Sequence, residues 1–598
     1  MSKQFHDAVD FSKGMNTEFG GTANDSAPLF LQDAILNRQP EIWRRGGHFV
    51  RRWTGEDLPQ IIIPENWEVL AAELHGHSAI NVGIIIIMSN PALNQTVVRF
   101  YPNNSTTHIQ KAISTTHAAT VASISIAWSK EDKPNGIVVT SDIATWFLRI
   151  KSDGSFADDA SEGYIKISDS ASGGGQLSGG GWLHTATVGP YTFLANREAG
   201  PGINAGTVGA GRGTLAWCQI MRSDIWNDAE RDPNASQILK NGSYQNIPTQ
   251  DTINIEALAG INKDLLIFKR NQILKMTVTA NPDNWEISKA SGVGTLDQQS
   301  LAYHESSVIF ASQTGVYMFN GYDIGAISGT IQTHYLESIL GYNNDWRIVG
   351  HVHKDYYVLS IRDGDRTAGT NYCGNHIVTY VCHIPSGAWG TFSNCKFMQM
   401  ATQDRGFTLS TGFCTNNSSD AGASQRGRLM AMQNMFRIPT GYKKDPALSV
   451  DGQGENSIVP HRDELNPSTP LLKIKTRFQD MGSPHTRKRL RHVLVRYAMK
   501  RTEDADHKLL VRVQRGHNGQ GIAAGLLPPS EHPGEDIAAF GQYMTQVRIP
   551  VTVYDQAFSI EISELSDGAS QAYYVGLTGI QLGYIPMRAN RTPEHNNA

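Results

Sequence analysis

Two clusters of basic side chains are the residues of this sequence whose type and spacing could do chemistry. In WRRGGHFVRRWTG, which begins at Trp43, Arg44, Arg45, Arg51 and Arg52 flank a Gly-Gly turn. A guanidinium is permanently charged, carries five donors in a planar fork and stacks on aromatic faces, so it suits carboxylates, phosphates and indole rings. Two readings stand: a solvated hairpin whose guanidiniums stack on Trp43 and Trp53, or a contact with DNA or an acidic partner. The second cluster is Arg487-Lys488-Arg489-Leu490-Arg491-His492. On a strand, alternation puts Arg489 and Arg491 on the side of Val493 and Val495, and Leu490 with Leu494. An edge strand that Lys and Arg protect from stray pairing needs no ligand. Binding to an acidic neighbouring subunit, or to passing DNA, is the other reading.

The remaining candidates point away from catalysis. His351-Val-His353 beside Asp355 places two imidazoles on one strand face, a spacing compatible with metal ligation. Two ligands do not make a site, and polar residues at the edge of a sheet explain them better. Asp363-Gly364-Asp365 resembles part of a calcium loop but lacks the downstream acid, so a hairpin turn is expected. The glycine-rich stretches SASGGGQLSGGGW and GINAGTVGAGRG have neither the G-K-[ST] ending of a P-loop nor GxGxxG spacing. Five cysteines without CxxC spacing indicate reduced thiols rather than a disulfide framework or a zinc site. No G-x-S-x-G elbow, H-E-x-x-H helix or Asp-box repeat is present, although a pair of carboxylates across a cleft stays open. The expectation is a protein that is not an enzyme and carries no cofactor or metal.

The elements that must position these residues are strands. The 598-residue chain has a formal net charge of -4, which argues against a wholesale nucleic-acid binder. With 57 Gly, 20 Tyr, 20 Phe and 11 Trp it tilts toward strands and tight turns. Ile84 to Ile87 with Met88 form the most apolar run, too short to span a bilayer and suited to a buried strand. The first residues carry no apolar run like a signal peptide, so a chain folded in a cytosol is expected.

Between Leu265 and Ser328 one pattern occurs twice: strand, polar step, returning strand, turn. Leu265 to Phe268 and Ile273 to Val278 make the first copy; Ser307 to Ala311 and Val316 to Phe319, closed by Asn320-Gly321, make the second. Similar units start near Trp67, Gly136, Thr187, His351 and Gly406, and a four-stranded sheet with its turns needs roughly 40 to 50 residues. The expected fold is mostly β, an irregular β-propeller platform of about six or seven blades over 43–440, with glycine-rich insertions near 170–250. Residues 1–42 are expected as an extended arm that orders against a partner. The polar stretch 441–470 reads as a linker and the site of proteolysis. Residues 471–598 alternate apolar and polar in successive runs, the pattern of a β-sandwich-like domain.

The order of WRRGGHFVRRW, LLIFKRNQILKM, GVGTLDQQSLAYHESSVIFASQTGVYMFNGYDIGAIS and the block TRFQDMGSPHTRKRLRHVLVRY with FSIEISE and LTGIQLGYI resembles the tail nozzle or hub proteins of short-tailed bacteriophages, of the tail tubular B type. The resemblance covers roughly residues 40–100 and 250–585. It implies a virion protein of the tail, assembled in the host cytoplasm as a ring of six copies. That ring would sit below the portal and adaptor proteins, let phage DNA pass, and carry tail fibre or tip proteins. A receptor-binding or polysaccharide-degrading tail protein, marked by an aromatic-carboxylate cleft, and a β-propeller interaction scaffold are the alternatives.

Overall fold

The computed structural model describes residues 4–18, 27–36, 42–45, 49–50, 63, 67–76, 82–102, 108–128, 136–151, 155–169, 176–177, 181–197, 213–226, 243–247, 254–343, 346–363, 376–393, 395, 397–401, 411–415, 427–431, 471–481, 485–501, 508–516, 521–527, 545–565 and 572–587. Strands dominate them, and the one α-helix among the described residues is Gln332–Ser338. No helix among them is long and apolar enough to cross a membrane.

Among the described residues, seven antiparallel meanders of four strands follow one another. Six are separate sheets, over 68–114, 122–169, 182–246, 255–291, 302–326 and 397–431, the last taking Phe49–Val50 as its fourth strand. The remaining one, over 347–391, is part of a nine-stranded sheet. Continuous apolar runs arise because each second strand is covered on both faces. In the strand Val82–Asn90, Ile84, Ile86 and Met88 pack with Met398 of the seventh meander, while Ile85 and Ile87 pack with Ile137 and Val139 of the second. The stretch at Leu265 repeats this. Leu265 and Ile267 share a core with Tyr191 and Phe193 of the third meander, and Leu266 and Phe268 share one with Val308 and Phe310 of the fifth. Further cores join the second to the third, the fifth to the sixth and the sixth to the seventh, so the series closes into a ring of face-packed sheets. This is a β-propeller arrangement.

Turn geometry repeats with the sheets. Asn262, Glu305 and Lys354 each open the turn between first and second strands in consecutive meanders, with φ of 54°, 52° and 53°. Two-residue hairpins require a positive φ there because their twist must match that of the strands. Residues 297–299 then tie the ring together from its centre. Asp297 accepts the Ile348 amide at 3.2 Å, Gln298 bonds both backbone groups of Leu258, and Gln299 donates to the Ala122 carbonyl at 2.9 Å. The Gln399 amide reaches both Gln299 and the Leu70 carbonyl.

The N-terminal segment corrects the expectation of an arm. Gln4–Asp7 pairs with Ala572–Pro586, Pro28–Gln32 lies between Ala388–Thr391 and Lys473–Thr476, and Ile42–Arg44 pairs with Ala572–Pro586. Ala8, Val9, Phe11, Met15 and Leu31 are buried in the same core as Trp389 and Ile562. The polar composition suggested an arm because each piece is too short to show a period; the chain's own C-terminal strands supply its partner.

The C-terminal part is a two-sheet sandwich, as its alternation indicates. Lys488–Arg501, Thr545–Asp555 and Ala572–Pro586 form one sheet with the N-terminal strands. Lys473–Thr476, Phe558–Leu565, Lys508–Arg515 and Gly521–Leu527 form the other, continuous through Pro28–Gln32 with the sixth meander. Leu490, Val493 and Leu582 from the first sheet meet Val511, Val513 and Ile560 from the second. The platform and the sandwich thus share one sheet and one core. The 441–470 linker lies outside the described residues.

Candidate basic interface

Arg44 and Arg45 do not face solvent. Both side chains are fully buried: Arg44 pairs with Glu564, and the Arg45 Nε is 2.8 Å from Asp33 Oδ1. Arg45 also donates to the Ser393 carbonyl at 2.9 Å and stacks over Phe392 at 5.2 Å. The Asp33 carboxylate accepts the Ser393 amide at 2.9 Å and its hydroxyl. Burial pushes the Asp33 carboxyl up, and Arg45 and Ser393 work against that shift. Trp43 is 5% exposed and lies on Gly576, where an added Cβ would come within 2.5 Å of its ring. Both readings of this cluster are therefore corrected for Arg44 and Arg45. They are pins between the N-terminal strands, the sandwich and the platform, because a desolvated guanidinium needs a paired carboxylate. Arg51, Arg52 and Trp53 lie outside the described residues.

The second cluster divides differently from the alternation. The pairing of Lys488–Arg501 with both neighbours shifts register between Leu490 and His492, a β-bulge that turns Leu490 into the core with Val493 and Val495. Arg491, the extra residue relative to Ala572–Pro586, is exposed, whereas the alternation placed it with those valines. Lys488 is buried, and its ammonium donates to the carbonyls of Thr486 at 3.0 Å and Gln556 at 2.9 Å; burial lowers its pKa. It is a structural cation rather than a contact residue. Arg487 is exposed, and Arg489 is half-buried over the Tyr554 ring at 5.4 Å. His492 is buried under Phe5, its ring 5.4 Å away, and lies so close to Gly583 that a Cβ there would meet it at 2.1 Å.

Two further arginines complete this face. Arg496 and Arg548 are exposed on paired strands, Leu494 opposite Arg548 and Arg496 opposite Gln546, whose Oε1 accepts from the Arg496 Nε at 3.2 Å. Arg487, Arg489, Arg491 and Arg496 are strung along about 30 Å of one strand and the residue before it, and Arg548 is on the neighbouring strand opposite Leu494. None is directly opposite another, but all lie on the outward surface of this sheet. Alternation in YMTQVRIPVTV already put Arg548 on a polar face; only strand pairing reveals its neighbours. The inward positions of Thr545–Asp555 hold Asp555, so that acid does not face the arginines.

The other sequence candidates separate. His351 and His353 are buried on the first strand of the sixth meander, while Asp355 is an exposed turn residue 3.8 Å from His304 of the fifth. They do not form a shared site, and among the described residues no three His, Cys, Asp or Glu groups converge as one. Their strand, Arg347–His353, is the edge strand of its sheet, as expected, and the two side chains are buried there by neighbouring parts of the ring. Of the calcium-loop fragment only Asp363 is described, and most of the glycine-rich insertions fall outside the described residues. Cys218, Cys382 and Cys395 are buried, and none forms a disulfide. A cleft of about 400 Å3 beside Gln332–Ser338 is lined by Phe30, His334, Glu337, Lys473, Lys475 and Glu561. Its opposed charges, with Lys473 3.8 Å from Glu561, leave no strong pull on an ion of either sign.

The buried histidines make stability depend on pH. Burial lowers His351 from 6.5 to about 3, and His184 and His353 to about 4. The unfolded chain therefore binds protons that the folded chain refuses once pH falls below 6.5. Stability is expected to be undiminished by these groups above that value, to decline from pH 6.5 toward 4, and to stop declining on their account near pH 3. Denaturant midpoints at pH 7 and pH 4.5 check this; His351→Gln should flatten the slope.

No family model matches the chain, and no curated protein does. Similar solved structures include the extracellular domain assigned to a hybrid two-component system of B. thetaiotaomicron, at 10% identity and a TM-score of 0.36, covering 92% of this chain and 63% of that one. The Pan2 WD40 domain of Neurospora crassa matches at 8% identity and a TM-score of 0.30, covering 62% of this chain and 97% of its own. A Bacteroides uniformis protein assigned as a 6-phosphogluconolactonase matches at 12% identity and a TM-score of 0.30, covering 59% of this chain and 89% of its own. At these values the likenesses bring no function to this chain.

Proposed function

We propose that this chain is a non-enzymatic ring component of a bacteriophage tail, a seven-bladed propeller platform fused to a sandwich. It would extend the portal-adaptor channel, let DNA pass and anchor fibres or a tip protein. The observation that supports this reading is the nine-stranded sheet running from the sixth meander through Pro28–Gln32 into the sandwich. Such continuity resists hinge motion between the two parts, as a load-transmitting ring subunit requires. The resemblance in residue order supplies the biological setting, a virion assembled in the host cytoplasm. Negative-stain imaging of the purified chain, alone and with isolated virion tails, tests it. Six-copy rings, and labelled antibody on the tail below the portal, are expected. A chain absent from tails overturns the reading.

A further inference from the structure

The outward sandwich face is basic and mixed with exposed apolar groups. Its five arginines lie beside Tyr554, 40% exposed, with Phe5, 56% exposed, on the same sheet. Arginine and aromatic residues together are the composition of protein contact surfaces. Of the chain's 52 basic residues, subtracting these five leaves 47 against 56 acidic ones, so the rest of the chain carries the acidic excess.

Strand order places part of that excess on one rim of the platform. In an antiparallel meander the turn joining strands one and two and the turn joining strands three and four lie at the same end. In the fourth to sixth meanders these turns carry the exposed carboxylates Asp283, Glu286, Glu305, Asp323 and Asp355. The exposed lysines in the same turns are Lys263 and Lys354. Tyr322, 81% exposed, is next to Asp323 in the same turn, with the Lys275 ammonium 4.4 Å from its ring centre.

We infer that the arginine face of one copy docks on this acidic rim of the next copy. The arginine face cannot pair with itself, because juxtaposed guanidiniums repel. A twofold contact centred on the arginine face is thereby disfavoured. The same contact repeated head to tail generates rings or open chains, whereas a reciprocal one, each arginine face on the other copy's rim, stops at a dimer, and the native mass separates the two. This deepens the tail reading by naming the two surfaces and making their contact salt-sensitive.

Native mass spectrometry and light scattering on the full chain test it with a charge swap. Wild type is expected to assemble at low salt and to dissociate as salt shortens the reach of charge. R491E/R548E and E305K/D323K should each weaken association at least about tenfold. Mixing the two variants should restore it, since one mutant face then meets its complement. All four positions are exposed, and unchanged thermal midpoints would establish that the variants fold. A wild-type monomer at all salts, variants that assemble like wild type, or a mixture that does not recover would each overturn the inference. So would a monomeric chain that binds a single-stranded DNA 30-mer through these arginines. Tail imaging reports separately: a chain found in tails with R491E/R548E still assembling sinks this contact and leaves the tail reading standing.

Discussion

Replacing Asp33 by alanine is expected to lower unfolding free energy by about 3–5 kcal/mol, the usual cost of leaving one partner of a buried ion pair uncompensated. Asp33 accepts from the Arg45 Nε at 2.8 Å and from the Ser393 amide at 2.9 Å, and its own φ is 55°. Aspartate tolerates that left-handed backbone better than alanine does, so the substitution adds strain to the lost acceptors. Asp33→Asn keeps the backbone preference and one acceptor oxygen, and is expected to be milder. Arg45→Met fills volume but strands the Asp33 charge, so the double change D33N/R45M should recover part of the loss. Equal denaturant midpoints for wild type and Asp33→Ala would show that the pair contributes nothing. Because Asp33 and Ser393 are far apart in sequence, the loss should appear as one cooperative transition of platform and sandwich together.

A fragment of residues 471–598 expressed alone is expected not to fold. Val9, Phe11, Met15, Leu31, Leu36 and Ile42 belong to the core that the sandwich shares, and none is present in the fragment. At roughly 1.5–3 kcal/mol for each buried side chain, the loss is on the order of 10 kcal/mol, comparable with the whole stability of a typical domain. Two strands would also lose their neighbours, since Lys473–Thr476 pairs with Pro28–Gln32 and Ala572–Pro586 pairs with Gln4–Asp7. Far-ultraviolet circular dichroism and size-exclusion chromatography check this. Co-expression with residues 1–440 should recover a folded complex. Protease cutting within 441–470 should accordingly yield two pieces that elute as one particle, where the sequence alone suggested a separable fragment. A monomeric 471–598 fragment with a cooperative melt would show the sandwich to be autonomous.

Local features were legible from residue order. The strands Asp264–Lys269, Ile273–Thr277, Ser307–Ser312 and Gly315–Phe319 lie within a residue of where apolar runs and turns put them. Alternation also found the sandwich, because period two is set by the pleat and needs no distant information. It misread Leu490 and Arg491, since one inserted residue at a bulge reverses the phase and is visible only against the paired strands. The turns at Glu305 and Lys354 were hidden too, because neither residue type advertises a positive φ.

Residue order by itself determined that this chain is built from strands, repeats along its length and ends in an alternating sandwich. Those properties depend on neighbours a few residues apart, where sterics and side-chain period act directly. Only the tertiary structure decided which arginines are available. Arg44 and Arg45 share a motif of bare basic character, yet their charges are matched by Glu564 and Asp33 in the interior. Alternation put Arg548 on a polar face, but only strand pairing sets it opposite Leu494, on the surface that also carries Arg491 and Arg496. Whether a charge is desolvated or displayed depends on what the rest of the chain places beside it, and composition carries no trace of that.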